Sequence, residues 1–380
     1  MRGRAGAIIW LAAAVLCCAL AGPAVGRAAT EPTKPTEVAA LGGGVGPLTL
    51  GPGGALWFAD GGKLGRIDAD GKLTEVPLSE SVGSLQGIAA GQEGNLWATS
   101  GSEVDRITVT GQVTRFPLPD GSGKVGPIAV APDGTLWFTA WASERLKESS
   151  FGEAYVISMR PGGGMNRYPL PGSARQRDEP PASIVAGPNG DVWFTDPAFN
   201  RVGRITPDTK LTEFSVRLHP EVLATDGADG VWFVGLGGLG KVDASGQVQE
   251  LRTGSFSGLL IGSAYGAVAG PEGDLWFIGG ATRVMRVTPS GQLSVVRGPG
   301  APAAAHIALG PGGSIWVSTI ANPIKGVTAA PLLRYAPGLP GIEVTPEIAT
   351  VRDGQVQLHL SWWRLAGRVL RRSQDHPRAQ

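Results

Sequence analysis

Three apolar residues in a row, Leu56-Trp57-Phe58, follow the glycine-rich stretch Gly51-Pro52-Gly53-Gly54, and shorter apolar runs broken by polar turn residues come next. A strand with one face in water alternates apolar and polar side chains, whereas a strand that is apolar on successive residues is covered on both faces. The passage returns as GPGGALWFAD (51–60), GQEGNLWATS (91–100), APDGTLWFTA (131–140), GPNGDVWFTD (187–196), GADGVWFVG (227–235), GPEGDLWFIG (270–279) and GPGGSIWVST (310–319). Its Trp falls at 57, 97, 137, 193, 232, 276 and 316, a period near forty residues with one enlarged unit. In the first unit the runs are Pro47–Leu50, Leu56–Ala59, Leu64–Ile67 and Leu73–Leu78, and Asp70-Gly71 turns the third into the fourth. Gly supplies the positive φ that such tight turns need. Four antiparallel strands in about forty residues make one propeller blade, and a blade buries both faces only between two neighbours. The pattern predicts an all-β fold: a seven-bladed β-propeller over residues 36–344, with a short C-terminal β appendage and basic tail over 345–380.

Two segments compete to close the ring. Thr36-Glu37-Val38-Ala39-Ala40-Leu41 copies the fourth-strand pattern Thr74-Glu75-Val76-Pro77-Leu78 but precedes the first unit. Ile342-Glu343-Val344 lies after the last unit at the matching spacing. N-terminal closure, by pairing with Leu332–Tyr335, is the preferred expectation, because it removes the sheet edges that invite aggregation. Beyond it, Ile348–Leu360 alternates like a hairpin around Asp353-Gly354, and the tail carries five arginines against one acid.

Composition agrees with many short strands and tight turns. Glycine makes up 59 of 380 residues, about twice ordinary usage, yet 42% of the chain is hydrophobic and 11 residues are Trp. A disordered chain does not carry that apolar load. With 33 Lys and Arg against 32 Asp and Glu, the basic surface of a nucleic-acid binder is not expected. Residues 1–29 read as a secretory signal: Arg2 and Arg4 precede an uncharged stretch from Ala5 to Leu20, followed by small residues. Cys17 and Cys18 both fall inside it, neither follows a small residue, and the mature chain then has no cysteine. A secreted or envelope-associated protein with no membrane span in its mature part, acting as a monomer, is expected.

A basic residue recurs in the third run, as Arg66, Arg106, Arg204, Lys241, Arg286 and Arg334, with Ser158 in the enlarged unit. A charge at one height in every blade is expected to cap or bridge blades, its stem lying along an apolar seam. Added chain length gathers at the opposite end, in Trp141–Ala154, Pro171–Pro181, Arg252–Ser263 and Ile320–Pro331. Long loops on a rigid scaffold are where binding residues concentrate. Trp141, Arg145, Phe151, Tyr155, Arg175 and Arg177 are therefore the candidate contacts for a small molecule, peptide or glycan, with Trp141 as an exposed aromatic anchor.

The repeat G-P-x-G-x-L-W-F-[AT]-[DE], continued by x-G-R-I-[DT]-x-D-G-x-[IL]-T-E-[FV]-P-L, resembles the virginiamycin B lyase (streptogramin lyase) family over residues of roughly 36 to 340. The resemblance implies a seven-bladed propeller that opens a cyclic depsipeptide antibiotic by elimination at its ester, with magnesium. It also implies a His eleven residues before the Trp of particular blades, as general base, and a Glu three residues after it, on the metal. Here the first position holds Gly46, Gln86, Gly126, Ala182, Glu221, Tyr265 and Ala305, and the second Asp60, Ser100, Ala140, Asp196, Gly235, Gly279 and Thr319. None is His in the first set and none is Glu in the second.

His306 is one residue out of register, so regular alternation points it to the opposite face, and it reads as a structural histidine. His219 lies beside Pro220-Glu221 before the fifth blade. If chemistry survives, His219 or His306 is the base, and Asp60, Asp196 and Glu221 are the acids for a cation, with Asp196 and Glu221 from adjacent blades as the best pair. No cofactor is assigned; Mg²⁺ or Ca²⁺ is the ion such carboxylates could hold. The leading expectation is a non-catalytic binding or recognition module. The alternatives are a metal-dependent carbon–oxygen lyase and a structural envelope protein attached through its Arg-rich tail.

Overall fold

The computed structural model describes residues 36–41, 45–60, 63–119, 123–142, 153–172, 180–228, 230–252, 264–280, 283–289, 293–296, 303–320, 330–336, 342–343, 348–352 and 355–359. Seven antiparallel sheets, six of four strands and one of five, form a seven-bladed β-propeller. The first blade runs Val45–Gly51, Ala55–Asp60, Lys63–Ile67 and Leu73–Val76 from the axis outward. The innermost strands of neighbouring blades lie against one another around the whole circle, blade seven meeting blade one. Among the described residues no helix is long and apolar enough to cross a membrane. The proposed signal, residues 1–29, lies outside the described residues.

The unbroken apolar run of the second strand has the predicted cause. Leu56 and Phe58 join a core cluster with Ala308, Trp316 and Leu332 of blade seven. Trp57, between them, joins Ile88, Leu96 and Ala98 of blade two. All three side chains of the run are at most 1% exposed. Successive residues point to opposite faces of a strand, so each second strand contributes to two seams at once.

The N-terminal segment closes the ring. Thr36–Leu41 pairs antiparallel with Ala330–Tyr335, Thr36 opposite Arg334 and Leu41 opposite Ala330, as the outermost strand of blade seven. The competing segment, Ile342–Glu343, instead adds a fifth strand to the outer edge of blade six, Ile342 opposite Val295. Beyond it, Ile348–Arg352 and Gln355–His359 form a separate hairpin.

In the six blades that carry one, the third-strand cation stands opposite the Trp of the second strand, and that pairing explains its recurrence. Arg66, Arg204, Lys241, Arg286 and Arg334 lie 5.4–5.9 Å from the ring centres of Trp57, Trp193, Trp232, Trp276 and Trp316. A cation over an indole face is attracted by the ring quadrupole. Most of these cations also bind a group at their own blade's turn: Lys241 meets Asp226 at 2.7 Å, Arg334 donates to Ser314 at 3.0 Å, and Arg286 pairs with Asp274. Arg204 reaches the next blade, donating to the Ala244 carbonyl at 2.6 Å. The cations therefore mainly cap within blades and bridge between them at Arg204.

A second repeated packing involves glycine. In blades one, four and five the Phe after the Trp lies across a third-strand Gly. A Cβ on Gly65, Gly203 or Gly240 would stand 2.0–2.3 Å from the ring of Phe58, Phe194 or Phe233. Blade two departs from this, with Ala98 opposite Asp105.

Candidate functional site

The innermost strands carry a feature that the repeat pattern does not reveal. In six blades the register slips near the end facing the long connections: between Val45 and Leu48, Leu85 and Gly87, Val125 and Ile128, Pro220 and Val222, Ala264 and Gly266, and Ala304 and His306. Each slip is a β-bulge, which leaves a residue out of the ladder and re-aims its side chain. The residue eleven before the Trp is the bulged one, or one of two, in all six: Gly46, Gln86, Gly126, Glu221, Tyr265 and Ala305. In blade four Ala182 precedes the short innermost strand Ile184–Ala186. A ring of bulges around the axis is thus the place where this fold re-aims side chains out of the ladder, and it is the candidate site.

Blades five and six bring a carboxylate, an imidazole and exposed side chains together beside that ring. His219 opens the innermost strand of blade five, and its Nδ1 lies 3.9 Å from Glu221 Oε1, both side chains being partly buried. Opposite His219, at the end of the second strand, stands Leu236, 57% exposed. Tyr265, the bulged residue of blade six, is 50% exposed. The two innermost strands, His219–Thr225 and Ala264–Ala269, are neighbours around the axis. A carboxylate, an imidazole and two exposed apolar side chains therefore share one sector.

Of the other candidate acids, Asp196 lies on a strand beside this sector and Asp60 lies in another blade. Asp196 ends the second strand of blade four opposite Arg201 and is fully buried; the short turn Pro197–Phe199 after it lies against the innermost strand of blade five. Asp60 ends the second strand of blade one, opposite Lys63, and is partly exposed. Among the described residues no three His, Cys, Asp or Glu side chains gather as a cation set. A buried Asp196, an Asp60 in another blade and a Glu221 beside His219 do not fit a bound Mg²⁺ or Ca²⁺, which takes six or more oxygens at close range.

His306 follows the bulge of blade seven. Ala304 pairs with Thr319 and His306 with Ser318, so the alternation assumed from the sequence is broken between them. Its backbone N–H donates to Ser318 Oγ at 3.2 Å. Burial disfavours the charged imidazole and lowers its pKa below the ordinary value.

Of the loop candidates, Arg145, Phe151, Arg175 and Arg177 lie outside the described residues. Trp141 and Tyr155 both border a cavity of about 30 Å³ at the end of blade three, yet they belong to different seams. Tyr155 packs with the core shared by blades two and three, and Trp141 with the core shared by blades three and four. The Trp141 ring comes within 3.1 Å of where a Cβ on Gly126 would stand, and the residue is partly buried instead of exposed. Tyr155 is held by its own surroundings: its hydroxyl donates to Glu153, and Arg167 lies 5.5 Å from its ring centre. That volume holds about two water molecules.

Tyr265 and Leu236 are the binding candidates that reading by motif misses. Tyr265 counts there as one more non-His, and Leu236 as one more apolar residue beside Gly237. A signal for Tyr265 existed, since it is an aromatic at the repeat position where four of the other blades have Gly or Ala.

The comparisons with known proteins agree with this architecture. The profile described as Virginiamycin B lyase family matches residues 12–158 and 150–360. A solved streptogramin B lyase is similar with a TM-score of 0.63 and 20% identity, over 79% of this chain and 96% of that one. Virginiamycin B lyase from Staphylococcus aureus gives 0.62 and 22%, over 79% and 98%. The WD40 propeller domain of Doa1 gives 0.60 and 14%, over 79% and 97%. No curated protein matches the sequence.

Proposed function

The chain belongs to the virginiamycin B lyase family, and from that premise we propose that it is an exported, ligand-binding member that holds its ligand at the bulge ring without cleaving it. One observation carries this reading. The six bulges sit where the family resemblance places a general base, and the residues there are Gly46, Gln86, Gly126, Glu221, Tyr265 and Ala305. Elimination needs a base within reach of the α-proton, and none of these side chains is an imidazole. What the sector between blades five and six offers is recognition: exposed Tyr265 and Leu236 for an apolar ring, with Glu221 and His219 for a polar group beside it. The ligand class is a small molecule, peptide or glycan with an apolar face.

The 3.9 Å approach of His219 to Glu221 favours a second reading, a surviving lyase. In it His219 takes the α-proton, a carbon–carbon double bond forms, and the ester carbon–oxygen bond breaks to release a carboxylate. Incubating the chain with a streptogramin B antibiotic and magnesium separates the two. Ring opening by elimination leaves the mass unchanged, so it is read by a shift in chromatographic retention together with new fragment ions. Unchanged antibiotic retained by the protein on equilibrium dialysis is the expected result. Conversion that disappears in His219→Ala overturns the binding-only reading and establishes the second.

A further inference from the structure

The seam between blades one and two contains a carboxyl that its surroundings pair only in part: Arg115, opposite it on the fourth strand, stays 3.8 Å away. Asp105 lies in the middle of the third strand of blade two, Glu103–Ile107, where blades one, four and five have Gly beneath a Phe ring. Blade two has no such ring: Ala98 stands opposite Asp105. Ala98 belongs to the core cluster with Ala55, Trp57 and Leu64 of blade one, so Asp105 faces that apolar seam. The residue is 1% exposed, and its Oδ1 accepts no hydrogen bond. Its Oδ2 receives one long bond, from Ser100 Oγ at 3.4 Å.

The charges around it do not compensate. Where blades one and four pair a third-strand cation with a fourth-strand Glu (Lys63 with Glu75, Arg201 with Glu213, each at 2.7 Å), blade two reverses the signs and has Glu103 and Arg115. Arg115 is the cation on this side, and it is divided. It lies 3.8 Å from both Glu103 and Asp105 and 3.4 Å from Glu80 of the connector, and it donates to the Ser81 carbonyl at 2.5 Å. On the facing side of blade one the charged group is Arg66, held against the Trp57 ring. A buried carboxylate without full hydrogen bonding is strongly disfavoured relative to its protonated form.

We propose that Asp105 is a proton-operated latch between blades one and two, tight when the carboxyl carries its proton and loosened when it ionises. Burial foremost, and then the negative charge of Glu103, raise its pKa above the ordinary value, against a lowering by Arg115 and Ser100 and with a further raising contribution from Glu80. A group that binds its proton more tightly in the folded chain stabilises the fold fully below the ordinary carboxylate range, and this contribution is lost as pH rises through the raised value. Ionisation also draws Arg115 toward Asp105 and away from Glu80 and Ser81, the connector that joins the two blades.

The test is thermal unfolding of the full chain at pH values from 4 to 8, comparing wild type with Asp105→Asn, which keeps the shape but cannot ionise. The melting temperatures should converge at acid pH, with the variant higher by about 3 °C at pH 8. His306, buried and favoured neutral, titrates in the opposite sense in both proteins and cancels in the difference. The double substitution Ala98→Phe with Asp105→Gly, which restores the packing of blades one, four and five, should remove the pH-dependent part in the same way. Carbon-13 NMR of the aspartate carboxyls, assigned with the variant, reads the group directly. Titration of Asp105 at or below about 3.9, or a melting difference that does not change with pH, overturns the proposal.

Discussion

The two ends of the ring are built from the same strands yet obey different rules. At the turn end the units repeat: a buried Trp, a cation over its ring, and a turn acid or hydroxyl holding the cation, as in Trp276, Arg286 and Asp274. At the bulged end the equivalent positions range from Gly to Glu to Tyr, and the long connections vary in length. Each blade must fit two neighbours along its seams, so changes at the turn end are felt by both adjoining blades. A bulged side chain at the mouth is released from the ladder and from this repeated constraint. The contrast separates what this fold needs from what this chain does.

The largest effect that could sharpen the contrast is removal of a turn-end ring. Trp193 is 1% exposed and packs with Val231 and Phe233 of the next blade. Trp193→Ala should destabilise by about 3–5 kcal/mol, read as a lower urea midpoint. Next comes Asp274→Ala. This carboxylate is 2% exposed, accepts from Trp276 Nε1 at 2.6 Å and pairs with Arg286. Its loss leaves a buried N–H and a largely buried guanidinium with less compensation, for about 2–4 kcal/mol, again in the urea midpoint.

The smallest change in stability is expected at the mouth. Tyr265→Ala combined with Leu236→Ser should stay within about 0.5 kcal/mol of wild type, as exposed substitutions usually do, while weakening retention of a streptogramin B antibiotic about tenfold. A mouth variant that unfolds the protein, or a Trp193 variant as stable as wild type, breaks the division between the ends.

Much of the architecture was legible because it is local and periodic. The spacing of Trp57 to Trp316 counts the blades, and the successive apolar residues of Leu56-Trp57-Phe58 state that both faces are covered. The fourth-strand likeness of Thr36–Leu41 anticipates its pairing with Ala330–Tyr335. The candidate site was less legible. Period-two reasoning places His306 by parity, and the bulge at Ala305 breaks that parity. Composition at a loop end suggests that Trp141 is exposed, whereas its ring packs near Gly126 and the seam to blade four. Asp105 appears in the sequence as an ordinary polar residue of a short strand; comparison with Gly65, Gly203 and Gly240 marks it as unusual only once the Phe rings above those glycines are known.

By itself, then, the sequence determined the number of blades, the strands within each and the turns between them, since these follow from hydrogen-bonding geometry and apolar spacing over a few residues. The tertiary structure alone decided that Ile342–Glu343 lies on blade six, that Tyr265 and Leu236 stand exposed near His219 and Glu221, and that the Asp105 carboxyl is shut between two blades. Exposure, pairing and proton affinity depend on atoms brought in by neighbouring strands and by the next blade, as the seam with blade one does for Asp105, and no local pattern encodes which of them arrive.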